Sequence, residues 1–300
     1  MVSRHAPRVA MIRLGDVVTD QHTQSCFDMG ASGADRSGAP SIPVVVVADE
    51  HDPASAERAK RLAAELSVPL RELDEDGPAS RLVLTATAER LELYDPAQRR
   101  CKPIVVDFQG GATGYRRTSL RSGKQPLARA VGFRGQRRSV LDATGGLGRD
   151  AFSLACLGGI VTIVERSPVL AAMLRDGLAR AAACGDAGLR EVVSRMTLIE
   201  GDACDVLNRM EERYAPDVVY VDPMYPPTHK SALVKNELRM LRSLVGTDPD
   251  AASLVELARR VALDRVVVKR HRHAPPLAGD PDTTYLGRRV RYDVHFCNRQ

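Results

Sequence analysis

Residues 221–227, VDPMYPP, close the apolar run DVVY with a carboxylate, an aromatic ring and three prolines. Prolines stop a strand abruptly, so such a turn displays Asp222 and Tyr225 at the strand's carboxyl end. One chemistry suits that set. An exocyclic amine on a nucleobase is a poor nucleophile, because its lone pair is delocalised into the ring. Accepting its N–H bonds with the Asp222 carboxylate and the Pro223 carbonyl would raise the electron density on nitrogen, while Tyr225 stacks on the base and orients it. A strong general base is unnecessary, since the amine sheds its proton readily once alkylated. The structural alternative is that Asp222 caps a turn and Tyr225 packs; pocket residues gather at such strand ends, which favours the chemical reading.

A second constellation, LDATGGLGRDAF at residues 141–152, sets Gly145, Gly146 and Gly148 between an apolar run and a helical one. Glycine there allows a tight turn and a close backbone approach to a ligand at a helix N-terminus. Gly146-x-Gly148-x-x-Ala151 satisfies the relaxed dinucleotide pattern, and Glu165 ends the next apolar run, where a ribose-binding acid belongs. A nicotinamide-dependent oxidoreductase is therefore one reading. Asp142 points to another. A carboxylate just before the glycines repels a pyrophosphate but suits a cationic ligand, and S-adenosylmethionine carries a sulfonium, an amino group and no phosphate.

These residues need a scaffold that brings strand ends together. From residue 139 the chain alternates apolar runs with helical ones: SVLDA, RDAFSLACLG, IVTIVE, SPVLAAMLRDGLARAAA, MTLIEGDA, DVVYVDP and DRVVVKR. Ser167-Pro168 is a helix start, and Gly158-Gly159 ends the helix before it. The alternation predicts an α/β domain with a doubly wound, mainly parallel sheet over residues 139–300, closed by an antiparallel edge in YLGRRVRYDVHFC. Upstream, residues 41–108 read as a small α/β module: the strand PVVVVADE, a helix with Ala59, Leu62, Ala63 and Leu66 on one face, and the strand-like runs RLVLTATAERLELY and KPIVVDF. Residues 1–40 lack periodicity and read as a disordered extension, and residues 109–138 as a basic connecting segment.

At 300 residues and 44% hydrophobic the chain can bury a core, and no apolar run reaches the length that spans a bilayer. The N-terminus has no apolar h-region, so a cytoplasmic location is expected. Six scattered cysteines without a C-x-x-C pair read as reduced packing thiols, and neither they nor His271 and His273 make a metal pattern. The net charge is +5, yet residues 108–141 hold eight cations and no acid, so the rest of the chain sums to −3. A polyanionic partner is expected for such a segment, with Arg116, Arg117, Arg121 and Lys124 as contacts. Lys230, Lys235 and Arg239 extend the basic set beyond the D-P-M-Y turn, with Lys235, Arg239 and Arg242 at one-face helical spacing.

With these motifs in view, the chain resembles the small-subunit ribosomal RNA (guanine-N2)-methyltransferase J family from about residue 42 to 296, through VDFQGGATGYRR, LDATGGLGRDAF, VERSPVLAAMLRDGLARA, YVDPMYP, KSALVKNELRMLRSLVG and RVVVKRHRHAPPLA. The resemblance implies a class I, Rossmann-like methyltransferase fold, S-adenosylmethionine as cofactor, and methylation of a guanosine N2 amine in 16S rRNA, free or in the small subunit. It implies cofactor contacts at Arg149, Asp150, Glu165, Arg166, Asp202, Ala203 and Asp222. The residue types agree: Glu165 suits ribose hydroxyls, Asp202 the adenine amine, and the loop of Gly146 and Gly148 the methionine portion. The family often has Ser-Ser where Asp202-Ala203 stand, and Phe where Tyr225 stands. A non-catalytic RNA-binding protein with the same fold is the remaining alternative.

Overall fold

The computed structural model describes residues 44–48, 53–71, 82–98, 101–110, 125–133, 137–224 and 236–297. β1 (Val44–Ala48), α1 (Pro53–Leu66), β2 (Leu70–Arg71), β3 (Leu82–Ala86) and β4 (Leu91–Tyr94) come first. Their strands form a four-stranded sheet in the order β2-β1-β3-β4, antiparallel only at β3–β4. α1 buries Ala59, Leu62 and Ala63, one helical face, as their spacing requires.

RLVLTATAERLELY, expected as one strand-like run, is a hairpin. The Thr87 hydroxyl accepts hydrogen bonds from the backbone N–H of Glu89 (3.3 Å) and Arg90 (3.0 Å) and turns the chain without glycine. KPIVVDF makes a single bridge, Ile104 to Leu93, rather than a strand. Its alternate residues Ile104, Val106 and Phe108 are nevertheless buried. Val106 lies against Gly177, where a Cβ would stand 2.5 Å from its Cγ1, and Phe108 stacks on Phe152 at 5.1 Å. The run is spent on packing against helices, not on a ladder.

Within the basic stretch, α2 (Pro126–Val131) buries Leu127, Ala128, Ala130 and Val131. Arg129 sits over the Tyr285 ring at 4.8 Å, and Arg138 pairs with Asp264, so two cations of the acid-free stretch hold the fold together.

The second sheet follows: β5 (Ser139–Asp142), α3 (Arg149–Cys156), β6 (Ile160–Glu165), α4 (Pro168–Ala183), α5 (Ala187–Val193), β7 (Met196–Glu200), α6 (Ala203–Arg209), β8 (Val218–Val221), α7 (Asn236–Val245), α8 (Ala251–Val261), β9 (Arg265–His271), β10 (Thr283–Leu286) and β11 (Val290–Phe296). The order is β10-β11-β9-β8-β5-β6-β7, with β9-β8-β5-β6-β7 parallel and the β10–β11 hairpin antiparallel on β9. The doubly wound sheet with an antiparallel edge is thus as expected. Every residue of β8 is buried, which a strand covered on both faces requires. Each such valine contributes about 1.5–3 kcal/mol of burial. Ser167 caps α4 by accepting from Leu170 N, with Pro168 at its first position.

The chain runs outward from β5 through β6 to β7, then crosses back to place β8 on the other side of β5. Strand order reverses there, and a crevice opens beyond the carboxyl ends of β5 and β8. No helix among the described residues is long and apolar enough to cross a membrane.

Candidate active site

A cavity of about 1320 Å³ fills that crevice. Single-ligand clefts run to roughly 300–1,000 Å³, so this one has room for more than one small ligand. Its walls come from the carboxyl ends of five parallel strands and the loops after them: Asp142 to Leu147, Arg149 and Asp150 from β5, Glu165 and Arg166 at β6, Asp202 to Cys204 after β7, Asp222 to Met224 after β8, and Lys269 on β9.

β5 ends with Asp142, whose Oδ1 accepts from Thr144 N (3.1 Å) and Thr144 Oγ1 (3.4 Å) in the loop that follows. The same Thr144 Oγ1 accepts from Asp222 N at 2.7 Å, so one hydroxyl joins the ends of β5 and β8. Gly146 (φ 54°) and Gly148 (φ 69°) take left-handed conformations that other residues adopt at a cost. A Cβ on Gly148 would also stand 2.7 Å from Leu174 Cδ2.

Glu165 is buried, and both its oxygens are engaged by backbone: Oε2 accepts from Gly146 N at 2.6 Å and Oε1 from Ser167 N at 2.7 Å. It therefore braces the glycine loop while facing the cavity. Burial pushes its pKa up to about 7, against the pull of the Ser167 and Gly146 N–H groups. Burial likewise lifts Asp142 to about 7, with the nearby Asp150 and Asp222 adding to it and the Thr144 N–H and Lys269 opposing. Asp202 Oδ1 caps α6, accepting from Cys204 N (2.8 Å) and Asp205 N (3.2 Å), and Ala203 begins that helix as a buried residue. Asp202 Oδ1 thus already serves the helix.

Three carboxylates and one ammonium meet at the cavity floor. Lys269 Nζ donates to Asp150 Oδ2 at 2.6 Å and to Asp222 Oδ2 at 2.7 Å, and Tyr220 OH donates to the same Asp150 oxygen at 2.7 Å. Asp142 stands within electrostatic reach of all three charged groups. Burial lifts Asp222 to about 6, with Lys269 pulling it down and Asp150 pushing it up. Burial alone would lower the Lys269 pKa, but Asp222 and Asp150 override it and keep the ammonium protonated.

The turn after β8 is held from the other side. Pro223 is buried, Met224 N donates to Asp248 Oδ2, and Asp248 N donates to Met224 O at 3.2 Å. Arg166 pairs with Asp248 and Asp250, and Arg149 with Glu237 at the start of α7. The two arginines tie the wall formed by α7 and α8 to the loops after β5 and β6.

The structure therefore gathers Asp142, Gly146, Arg149, Asp150, Glu165, Arg166, Asp202, Ala203, Asp222 and Pro223 around one cavity, with Gly148 at the N-terminus of α3 beside it. Arg239 lies apart on α7, exposed, donating to Gln98 Oε1 at 3.1 Å. Arg242, expected to share its face, lines the cavity instead. Tyr225, Arg116, Arg117, Arg121, Lys124, Lys230 and Lys235 lie outside the described residues. Sequence reasoning missed Lys269, Tyr220 and Asp248. For Lys269 no local signal existed: β9 also carries Arg265, Arg270 and His271, so one more cation after Val266, Val267 and Val268 does not stand out.

The chain is similar to several known proteins. The family described as "SAM-dependent methyltransferase" matches residues 69–297. Ribosomal RNA small subunit methyltransferase J of Thioalkalivibrio sulfidiphilus is 49% identical over 241 residues, covering 80% of this chain and 92% of its own length. The protein of that name from Pseudomonas aeruginosa is 43% identical over 242 residues, covering 80% and 90%. A crystal structure of a SAM-dependent methyltransferase from Neisseria gonorrhoeae is alike at a TM-score of 0.63 and 32% identity, over 84% of this chain and 96% of that one.

Proposed function

Since the chain belongs to the ribosomal RNA small subunit methyltransferase J family of S-adenosylmethionine-dependent methyltransferases, as its motifs led us to expect, we propose that it methylates the exocyclic N2 amine of a guanosine in 16S rRNA. The observation that carries the proposal is Asp222. Its carboxylate lines the cavity at the switch point, directly after β8, beside the buried Pro223.

The donor set fits the cofactor. Eight acids line the cavity, with Asp142, Asp150, Glu165, Asp202 and Asp222 at the strand ends, against one lysine and five arginines, a balance that favours a cation over a pyrophosphate. Gly146 N, which a dinucleotide would need for its phosphates, is already bonded to Glu165. S-adenosylmethionine, when bound, supplies the electrophilic methyl group. Glu165 accepts from its ribose hydroxyls with the lone pairs left on each oxygen, and Asp202 accepts from the adenine amine. Asp142 favours the cationic methionine end, beside the loop of Gly146 and Gly148, and Arg149, Asp150, Arg166 and Ala203 complete the contacts.

The target amine rests against the Asp222 carboxylate and the Pro223 carbonyl, both acceptors, which leave its lone pair concentrated on nitrogen. Tyr225 stacks on the base. The proton the amine sheds has Asp222 as an acceptor at hand. Reaching this cavity requires the guanine to leave its stack. Arg116, Arg117, Arg121, Lys124, Lys230, Lys235 and Arg239 track phosphates, which position the RNA without specifying sequence. The reading implies a cytoplasmic enzyme.

Mass mapping of modified guanosines in 16S rRNA from cells with and without the gene tests the proposal. One N2-methylguanosine should vanish without the gene and return with it; an unchanged map would overturn the reading. Calorimetry with S-adenosylhomocysteine against NADH separates it from an oxidoreductase.

A further inference from the structure

β8 and β9 are parallel neighbours, with Val221 opposite Val268. The residue that follows each of these is Asp222, just past the end of β8, and Lys269, still within β9, so the register sets an ammonium abreast of the acid at the reaction centre. Asp150 approaches the same ammonium from α3, with Tyr220 bonded to it from β8. The Lys269 side chain is 22% exposed and that of Asp150 19%, so the bridge lies largely out of bulk water. Asp222 keeps 37% of its side chain exposed, on the cavity side. Other ionisable groups facing the cluster are Asp142 from the end of β5, Tyr292 from β11, and Asp248 from the segment between α7 and α8.

Three carboxylates this close cannot all ionise unaided, because each like charge disfavours the next. One compact cation between two of them relieves the repulsion, and lysine supplies it as a point charge with separate donors for separate partners. The same bond fixes the Asp222 carboxylate: Oδ2 is held by Lys269, leaving Oδ1 as the acceptor for an incoming group.

We propose that Lys269 is a positioning residue for methyl transfer: bridging Asp150 and Asp222, its ammonium keeps the Asp222 carboxylate ionised and turned toward the acceptor amine. This rests on the methyl-transfer reading above. Lys269 is no base in this scheme, since the paired carboxylates hold its proton. Its effect on rate passes through Asp222. Removing the cation should therefore shift the acid limb of the pH profile rather than scale the rate evenly.

The test uses the cofactor-free protein first, so it stands apart from any RNA substrate. Carbon-13 NMR of labelled aspartate carboxyls, assigned with Asp222→Asn, should show Asp222 titrating near 6 in the wild type. In Lys269→Met the midpoint should rise by about 1–3 pH units, the size of shift an adjacent opposite charge produces. In Lys269→Arg it should stay near the wild-type value. Methyl transfer to 16S rRNA should follow: near pH 6.5 Lys269→Met should lose about threefold for a one-unit rise and about tenfold or more for a rise of two units or beyond, and near pH 9 it should regain at least about half the wild-type rate, tracking ionised Asp222. An Asp222 midpoint unmoved in Lys269→Met, or an equal loss at every pH, would overturn the proposal and leave Lys269 a structural strut. Should Lys269→Met not fold, Asp150→Asn decides: the Asp222 midpoint should fall, and an unchanged midpoint would show that the groups do not communicate. If the wild type itself transfers no methyl group to rRNA, the functional reading fails while the titrations still judge the lysine.

Discussion

Glu165 carries two duties, and substitutions should separate them. Its carboxylate accepts from Gly146 N at 2.6 Å and from Ser167 N at 2.7 Å, holding the glycine loop to the end of β6. Glu165→Gln keeps one acceptor oxygen and turns the other into a donor, so one of those N–H groups loses its partner. A buried donor left unpaired costs about 1–3 kcal/mol. Part of that loss is offset, because the wild-type carboxyl is itself strained by burial, its pKa standing at about 7. The cofactor should lose one charge-assisted bond to its ribose, worth about 1.5–3 kcal/mol. At 1.4 kcal/mol per decade the low end of that range is already tenfold. Calorimetry with S-adenosylhomocysteine at about pH 8, where the wild-type group is ionised, should show at least a tenfold weaker Kd for Glu165→Gln and for Glu165→Ala. Urea melts of the same variants report the loop. A folded Glu165→Gln protein with an unchanged Kd would refute the reasoning and reduce Glu165 to a brace.

Other substitutions probe other layers. Gly148→Ala must place a Cβ at φ 69° and 2.7 Å from Leu174 Cδ2, adding about 1–2 kcal/mol of backbone strain to about 1–3 kcal/mol of overpacking, so its urea midpoint should fall well below the wild type. Asp142, lifted by burial from 3.8 to about 7, binds its proton more tightly folded than unfolded. Stability should therefore fall as pH rises between those values, and Asp142→Asn, which keeps the acceptor for Thr144, should flatten that slope in denaturation at several pH values. Replacing Arg116, Arg117 and Arg121 together with Ala should lower RNA affinity and reduce the slope of log K against log salt by about 0.7 for each lost contact; a wild-type slope would mean the segment meets no phosphate.

Local chemistry was readable where neighbours along the chain decide it. The Ser167-Pro168 helix start, the glycine turn and the strand ends at Asp142, Glu165 and Asp222 needed no tertiary information, and the structure brings those acids to one cavity. Lys269 was hidden inside the basic run KRHRH, because its meaning comes from the register of β9 on β8. KPIVVDF had a strand's pattern, but its apolar residues were claimed by Gly177 and Phe152, far off in sequence. Likewise the charge of residues 108–141 pointed to a polyanionic partner and said nothing of packing, because the burial of α2 and the place of Arg129 over Tyr285 are set by the distant β10–β11 edge. Asp202 had one function legible in its type and a second, capping α6, visible once the helix was placed.

The central claim is that Asp222 acts on the target amine, and single-turnover methyl transfer to 16S rRNA at saturating S-adenosylmethionine tests it most directly. The product nucleoside should be N2-methylguanosine. Asp222→Ala should slow the step by about 10²–10³, as loss of a preorganised acceptor does, with a much smaller loss of cofactor affinity. Tyr225→Phe should keep most of the rate, while Tyr225→Ala loses about 1–3 kcal/mol of stacking. Near wild-type transfer by Asp222→Ala, or a product methylated at any other atom, would contradict the account.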